Sequence, residues 1–407
     1  MEKQKCPDIR FMGSNGDWVQ SNLAECTDLL TGNPFNSKEF TSNGIFLVRG
    51  MNVKRGYLDK STNLSEYWPS SKGLEQYLLK PEDIVIQMDG ALIGKSYAKI
   101  NSKDLPALLV QRVTRVRSNN VEIEFIYQYI HRDFLSHISG IKTETAVPHL
   151  SLNDIRDFTI FLPEKQEQSS IGSFFQSLDQ SITLHEKKLT QTQNLKKAML
   201  EKMFPKAGNK QPEIRLKGFS GNWDVDIIGN VLQEAFRPIN LDNETKYRLV
   251  TVKRRNGGIA ERAILKGKDI LVKSQFEVKA GDYVISKRQV VHGATGLVPH
   301  ELDGSIVSNE YLVGQGTDKL NIEFFALLST LPEMYKKFFL SSYGVDIEKL
   351  FFDVSDWKKR EISLPCLAEQ IQISKFFKQL DETLVLQQQQ LQTLKNLKQA
   401  FLEKMFV

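Results

Sequence analysis

Two short basic clusters beside glycine carry the chemistry that this chain offers. In Lys253-Arg254-Arg255-Asn256-Gly257-Gly258, three cations and an amide sit on a stretch that the paired glycines mark as a loop or hairpin tip. Arg49, Lys54 and Arg55, closed by Gly56, form its counterpart earlier in the chain. Residues 246–273 hold nine basic residues against two acidic ones, Glu261 and Asp269. Arginine and asparagine beside glycine suit contacts to phosphate and bidentate hydrogen bonds to base edges. A solvated turn also fits one such cluster. Its recurrence at matching places in both halves favours double-stranded DNA as the partner.

The motifs that would signal catalysis fail on spacing. Gly90-Ala-Leu-Ile-Gly94-Lys95-Ser96 is like a phosphate loop, but it has three residues between its glycines where four are required, and Asp89 stands in place of the first glycine. Asn33-Pro34-Phe35 is half of the Asn-Pro-Pro-aromatic motif of adenine methyltransferases and reads as a turn. Glu186-Lys187-Lys188 and Glu277-Val278-Lys279 satisfy a Glu-x-Lys string too short to define a nuclease. The six histidines lack His-x3-His and His-Glu-x-x-His spacing, so neither a metal nor a cofactor is expected. The chain reads as a binder, not an enzyme.

At 407 residues, two or more domains are expected. A net charge of +5 permits a polyanionic partner without demanding one. Cys6, Cys26 and Cys366 are too few and scattered for a disulfide framework. With no apolar leader and no run of about 20 apolar residues, a cytoplasmic protein with no membrane partner is expected.

What positions the basic loops is a duplicated scaffold. Residues 163–204 and 365–406 align without a gap at an offset of 202, with 19 of 42 paired positions identical. Pro7-Asp-Ile-Arg-Phe-x-Gly13-x-x-Gly16-Asp-Trp18 returns as Pro212-Glu-Ile-Arg-Leu-x-Gly218-x-x-Gly221-Asn-Trp223. Such internal repetition decides the architecture. Within the repeat, apolar residues step by three and four. They form one stripe through Ile171, Phe175, Leu178, Ile182, Leu189 and Met199, and another through Ile373, Phe377, Leu380, Leu384, Leu391 and Leu394. Stripes sustained over four heptads predict a coiled-coil seam. His185, Thr192, Lys196, Gln387 and Lys398 interrupt the stripes, and polar residues in a seam can fix register. Each helix could instead pack on its own body as an amphipathic surface helix, but two equivalent seams in one chain close best on each other as an antiparallel pair about a pseudo-two-fold axis.

The bodies before each helix read as mixed α and β. Strands are expected at 45–48, 83–88, 107–110, 248–252, 282–285 and 311–313, and helices at 122–135 and 321–339. Lys80-Pro-Glu-Asp-Ile-Val-Ile86 matches Lys279-Ala-Gly-Asp-Tyr-Val-Ile285, while the stretches between shared phrases diverge.

Pro163-x-x-x-Glu167-Gln168-x-x-Ile171, Phe174-Phe175-x-x-Leu178-Asp179 and Leu-Glu-Lys-Met-Phe204 resemble the central helical region of type I restriction–modification specificity subunits. The 365–406 copy resembles their distal helical region, and each Gly-x-x-Gly-(Asp/Asn)-Trp phrase resembles the opening of their target recognition domains. Gly140 to Leu162, with Ala146-Val-Pro-His149-Leu-Ser-Leu-Asn-Asp154, is similar to their domain-closing phrase, which Ser341-Ser-Tyr-Gly344-Val-Asp346 keeps only in part.

The resemblance implies an α+β chain: recognition domains at 1–162 and 206–364, and helical spacers at 163–205 and 365–407 that form an antiparallel coiled coil. It implies a non-catalytic subunit that binds a bipartite DNA target, one half-site per recognition domain. It also implies partners: S-adenosylmethionine-dependent modification (methyltransferase) subunits and restriction subunits that translocate and cleave DNA with ATP. Candidate DNA contacts are Arg49, Lys54, Arg55, Lys142 and His149 in the first body, and Lys253, Arg254, Arg255, Lys287, Arg288 and His292 in the second. A self-sufficient methyltransferase or nuclease and a two-headed protein-binding scaffold are the alternatives.

Overall fold

In the computed structural model, residues 6–139, 149–206, 208–347 and 350–407 are described. The chain divides into two compact units, residues 1–187 with 389–407, and residues 188–388. Both boundaries fall inside the long helices, Lys165–Lys202 and Leu367–Lys404. Each unit therefore contains one body, the start of the helix that follows that body and the end of the other helix.

Each body is built around a short strand buried on both faces. In the first unit this is Ile84–Gln87, within a four-stranded antiparallel sheet ordered Thr27–Thr31, Val113–Ser118, Ile84–Gln87, Tyr97–Lys99. Side chains of a strand alternate between faces. Ile84 and Ile86 accordingly join the core beneath the helix Ile123–Ser139, while Val85 joins a second core with Phe46, Val48, Ala107 and Leu109. That second core belongs to a three-stranded sheet ordered Tyr67–Trp68, Ile45–Val48, Ala107–Leu109, in which the last pair is parallel. Burial on both faces explains why the sequence here is an unbroken apolar run.

The second unit repeats the plan. Tyr283–Ser286 lies in a sheet ordered Gln233–Glu234, Tyr311–Gln315, Tyr283–Ser286, Thr295–Leu297. Tyr283 and Ile285 enter one core and Val284 another. Its second sheet is larger and runs Pro238–Ile239, Gln275–Val278, Ser305–Ser308, Lys246–Val252, Ile259–Lys266. Lys246–Val252 pairs in parallel with Ser305–Ser308, as Ile45–Val48 does with Ala107–Leu109. The matched phrases before the central strands are turns. Asp83 and Asp282, both buried, accept from the backbone N–H of Lys80 and Lys279 and pair with Arg117 and Arg237.

The single helix expected at 321–339 is two, Ile322–Leu328 and Pro332–Leu340. Pro332 lacks an N–H and takes the first turn of a new helix, which ends the preceding one. The other expected strands and the helix at 122–135 are present with small shifts at their ends.

The repeated residues are joint residues. Glu167 receives two hydrogen bonds from Arg10 (2.9 and 2.7 Å), whose Nη1 also donates to the Gly16 carbonyl. Glu369 receives the same pair from Arg215 (2.8 and 2.7 Å), which likewise donates to Gly221. Gln168 donates to the Pro163 carbonyl and accepts from Glu122 N–H; Gln370 does so with Pro365 and Asn321. Trp18 and Trp223 are buried beside these joints. The opening strand of each body, Val19–Asn22 or Asp224–Ile227, pairs with the strand that leads into the helix, Thr159–Leu162 or Glu361–Leu364.

Within each unit the two helical segments run antiparallel. In the first, Phe174 meets Phe401, Asp179 meets Lys398 at 2.6 Å and Glu186 meets Lys395 at 2.7 Å. In the second, Lys196 pairs with Asp381 and Phe204 meets Phe377. Every expected seam residue is buried or half-buried, and Leu184, Leu195, Val385 and Leu386 beside the stripes are exposed. The interruptions are matched, too: Lys196 and Lys398 occupy the same position of the repeat, as do Asp179 and Asp381. The final Met-Phe of each helix is core. Met405 and Phe406 pack with Trp18, Phe125 and Phe175 in the first unit; Met203 and Phe204 pack with Trp223, Phe324 and Phe377 in the second. Among the described residues no helix is long and apolar enough to cross a membrane.

Candidate nucleic-acid interface

The basic cluster of the second unit is the tip of a hairpin. Lys246–Val252 and Ile259–Lys266 pair antiparallel over their whole length, leaving residues 253–258 as the turn. Lys253 N–H donates to the Gly258 carbonyl at 2.8 Å and closes it. Arg255 and Asn256 adopt left-handed φ values of 58° and 54°, a conformation uncommon for non-glycine residues. Two bonds hold them there: Arg255 N–H donates to His292 O at 2.7 Å, and Asn256 N–H donates to Gly293 O at 2.8 Å. Gly293 takes a left-handed φ of 71°, which favours glycine, and a Cβ there would force the Tyr335 hydroxyl, 1.9 Å away, to move.

The structure thus gathers the second-unit candidates into one cluster. Lys253, Arg254 and Arg255 are exposed on the tip, against the loop that carries Lys287, Arg288 and His292. Lys287 Nζ donates to the Asn309 carbonyl at 2.8 Å, and Arg288 pairs with Glu310 at 2.8 Å. Glu310 holds the Arg288 guanidinium above the ordinary arginine value, chiefly through that hydrogen bond.

The first-unit candidates do not gather as closely. The segment after Ile45–Val48 forms a short 3-10 turn, Gly50–Asn52, followed by an irregular loop. Gly50 backs onto Gln87 and Asp89, so this turn touches the loop after the central strand, as the hairpin tip does in the second unit. Arg49 points inward, donating to the Leu64 carbonyl at 2.6 Å beside the Phe40 ring. Lys54 is half-buried. Arg55, exposed, reaches the Tyr97 hydroxyl (3.4 Å) at the edge of a cleft of 1090 Å³ that Lys99, Lys103 and Lys187 also line. His149 is exposed and pairs through its backbone with Asp89; Lys142 lies outside the described residues.

One residue that the sequence reading passed over stands out. Arg112 is exposed with φ 68°, and its Nη1 lies 3.0 and 3.1 Å from the two ring nitrogens of His149. It sits 37 positions before His149 in no motif, and only the strand register reveals it.

Three loops therefore converge at the same point of each scaffold. One follows the strand of the second sheet (residues 49–56 or 253–258), one follows the central strand (88–96 or 287–294), and one precedes the neighbouring strand (110–112 or 309–310). All three differ in sequence between units while the strands beneath them correspond. Their exposed donors and acceptors lie on one end of the sheet. No group of three or more His, Cys, Asp or Glu able to hold a metal occurs among the described residues.

A scaffold used twice under divergent loops is a duplicated fold that presents two different loop surfaces. The sequence profile of the family described as "Type I restriction modification DNA specificity domain" matches residues 15–194 and 223–396, and the chain belongs to that family. It is 31% identical over 161 residues to the type I restriction enzyme EcoAI specificity subunit of Escherichia coli, covering 38% of this chain and 27% of that protein. It is 27% identical over 197 residues to the type I restriction enzyme MjaVIII specificity subunit of Methanocaldococcus jannaschii, covering 45% of this chain and 44% of that protein. The matches thus span less than half the length of these curated relatives. The fold is shared with the crystal structure of a type I restriction-modification system S subunit from M. genitalium: TM-score 0.60 and 13% identity, over 99% of both chains.

Proposed function

We propose that this chain is the DNA sequence-recognition subunit of a type I restriction–modification enzyme. Each body reads one half of a bipartite duplex target, and the paired helices set the gap between the halves. The chain itself performs no chemistry. Modification subunits supply S-adenosylmethionine-dependent methylation, and restriction subunits supply ATP-driven translocation and cleavage.

The observation that supports this reading is the convergence, in both units, of three dissimilar polar loops on the same end of a repeated sheet. Phosphate contacts position a protein on duplex DNA, whereas base-edge contacts specify sequence, and a set of arginines, lysines, histidines and carboxylates serves both. The names of the curated relatives support the enzyme class.

The test is fluorescence anisotropy with labelled duplexes, for the chain alone and with its modification subunits, across a salt series. Affinity should fall linearly with salt on a log–log plot and depend on two separated sequence elements. With Mg²⁺, ATP and S-adenosylmethionine but no other protein, the DNA should stay intact and unmethylated. Cleavage or methylation under those conditions would favour a self-sufficient enzyme. Absence of salt-sensitive DNA affinity from chain and complex alike would favour a protein-binding scaffold.

A further inference from the structure

The two scaffolds carry opposite charges at one pair of equivalent loop positions. In the first unit Ile86 pairs with Thr114 and Met88 N–H donates to Arg112 O at 2.9 Å. In the second Ile285 pairs with Leu312 and Lys287 N–H donates to Glu310 O at 3.0 Å. This register makes Asp89 equivalent to Arg288, and Arg112 equivalent to Glu310. The acid of one unit stands where the other has its base, on both loops at once.

We propose that this pair is a specificity-determining element: Arg112 reads a guanine in the half-site of the first unit, and Arg288 reads a guanine in the half-site of the second. The inference rests on the DNA-binding reading above and deepens it. Four observations carry it.

Arg288 and Glu310 remain 56% and 48% exposed in their ion pair, so the pair adds little to folding and leaves both groups open to a ligand. Arg112 keeps a strained left-handed backbone, with its carbonyl locked by Met88 and its guanidinium set against His149; such strain gathers at functional sites. Both positions lie beside the other candidate loops, since Gly50 backs onto Asp89 and the hairpin tip is bonded to His292 and Gly293. An exposed carboxylate on a DNA-facing surface cannot bind phosphate. It serves there by accepting from a cytosine amino group or by orienting an arginine toward the O6 and N7 acceptors of guanine.

The experiment uses the complex of this chain with its modification subunits, with anisotropy measured on duplexes carrying every single-base change of the methylated motif. Arg112→Ala should relax one G·C position of one half-site, and Arg288→Ala one position of the other. Each should weaken cognate binding roughly 10–100-fold while leaving noncognate binding unchanged. Arg→Lys should not restore discrimination, because one ammonium cannot make both bonds. Glu310→Gln should broaden the same position as Arg288→Ala. Equal loss on all sequences, with a shallower salt slope and rescue by lysine, would make these residues phosphate clamps and overturn the proposal. An unchanged motif and affinity would overturn it as well. Failure of the wild-type complex to bind DNA in a salt-sensitive way would instead remove the reading on which it rests.

Discussion

Phe406 comes from the end of the second long helix, yet its ring lies in the core of the first unit. It stacks on Phe125 (5.2 Å between centroids) and meets Trp18, Tyr129 and Phe175 at 6.1, 5.2 and 5.8 Å, with 4% of its surface exposed. Its neighbours come from the opening segment, the body helix and the start of the other long helix. Truncating such a phenylalanine to alanine costs about 3–5 kcal/mol. Because the chain divides into two compact units, that loss should appear as sub-global opening of one unit. Hydrogen exchange followed by mass spectrometry is the assay. Phe406→Ala should speed exchange in the helix Ile123–Ser139 by roughly 10²–10⁴-fold, since each 1.4 kcal/mol is tenfold. Peptides from Ile322–Leu328 should stay protected. Phe204→Ala should do the converse, exposing the second unit alone. Unchanged exchange around Ile123–Ser139 after Phe406→Ala would refute the claim that each body is completed by the helix end from the other repeat.

Three further outcomes are expected. A double-mutant cycle on Asp179 and Lys398 should give a coupling of about 1–2 kcal/mol, because Lys398 is nearly buried and Asp179 also accepts from Gln128; the more exposed Lys196–Asp381 pair should give less than about 1 kcal/mol, and equal values would contradict the ranking. His131 is pushed down to about 3 by burial and by the charges of Lys398 and Arg55. The unfolded chain protonates it near 6.5, so its stabilisation is complete above that pH and drains away as pH falls toward 3. Between pH 7 and pH 5 the first unit should lose about 2 kcal/mol by urea unfolding, and an undiminished loss in His131→Phe would exclude this residue as the source. Deleting one heptad from each long helix should change the spacer between half-sites and leave both half-sites intact; an unaltered spacer would show that the helices are not the ruler.

Much of the fold was legible because its signals are periodic or repeated. The seam could be followed at steps of three and four, and Ile84-Val-Ile86 and Tyr283-Val-Ile285 read as strands. The purpose of Glu167, Gln168, Arg10 and their copies was not legible, since each makes one bond to a residue far away in the chain. The apolar content of 321–339 masked the break that Pro332 imposes. In the site, the hairpin tip announced itself through paired glycines and clustered charge. Asp89, Arg112 and Glu310 did not, because isolated charges acquire meaning only when the strand register sets them side by side. Arg49 shows what charge alone does not reveal: its guanidinium donates to the body's own Leu64 carbonyl.

The most direct measurement is a methylation map of the host genome with the wild-type chain and with Arg254→Ala/Arg255→Ala. Wild type should mark a motif of two defined elements separated by a fixed gap of unspecified bases. The variant should lose or relax one element and keep the other element and the gap. A continuous motif, or equal degradation of both elements, would contradict recognition by two independent heads.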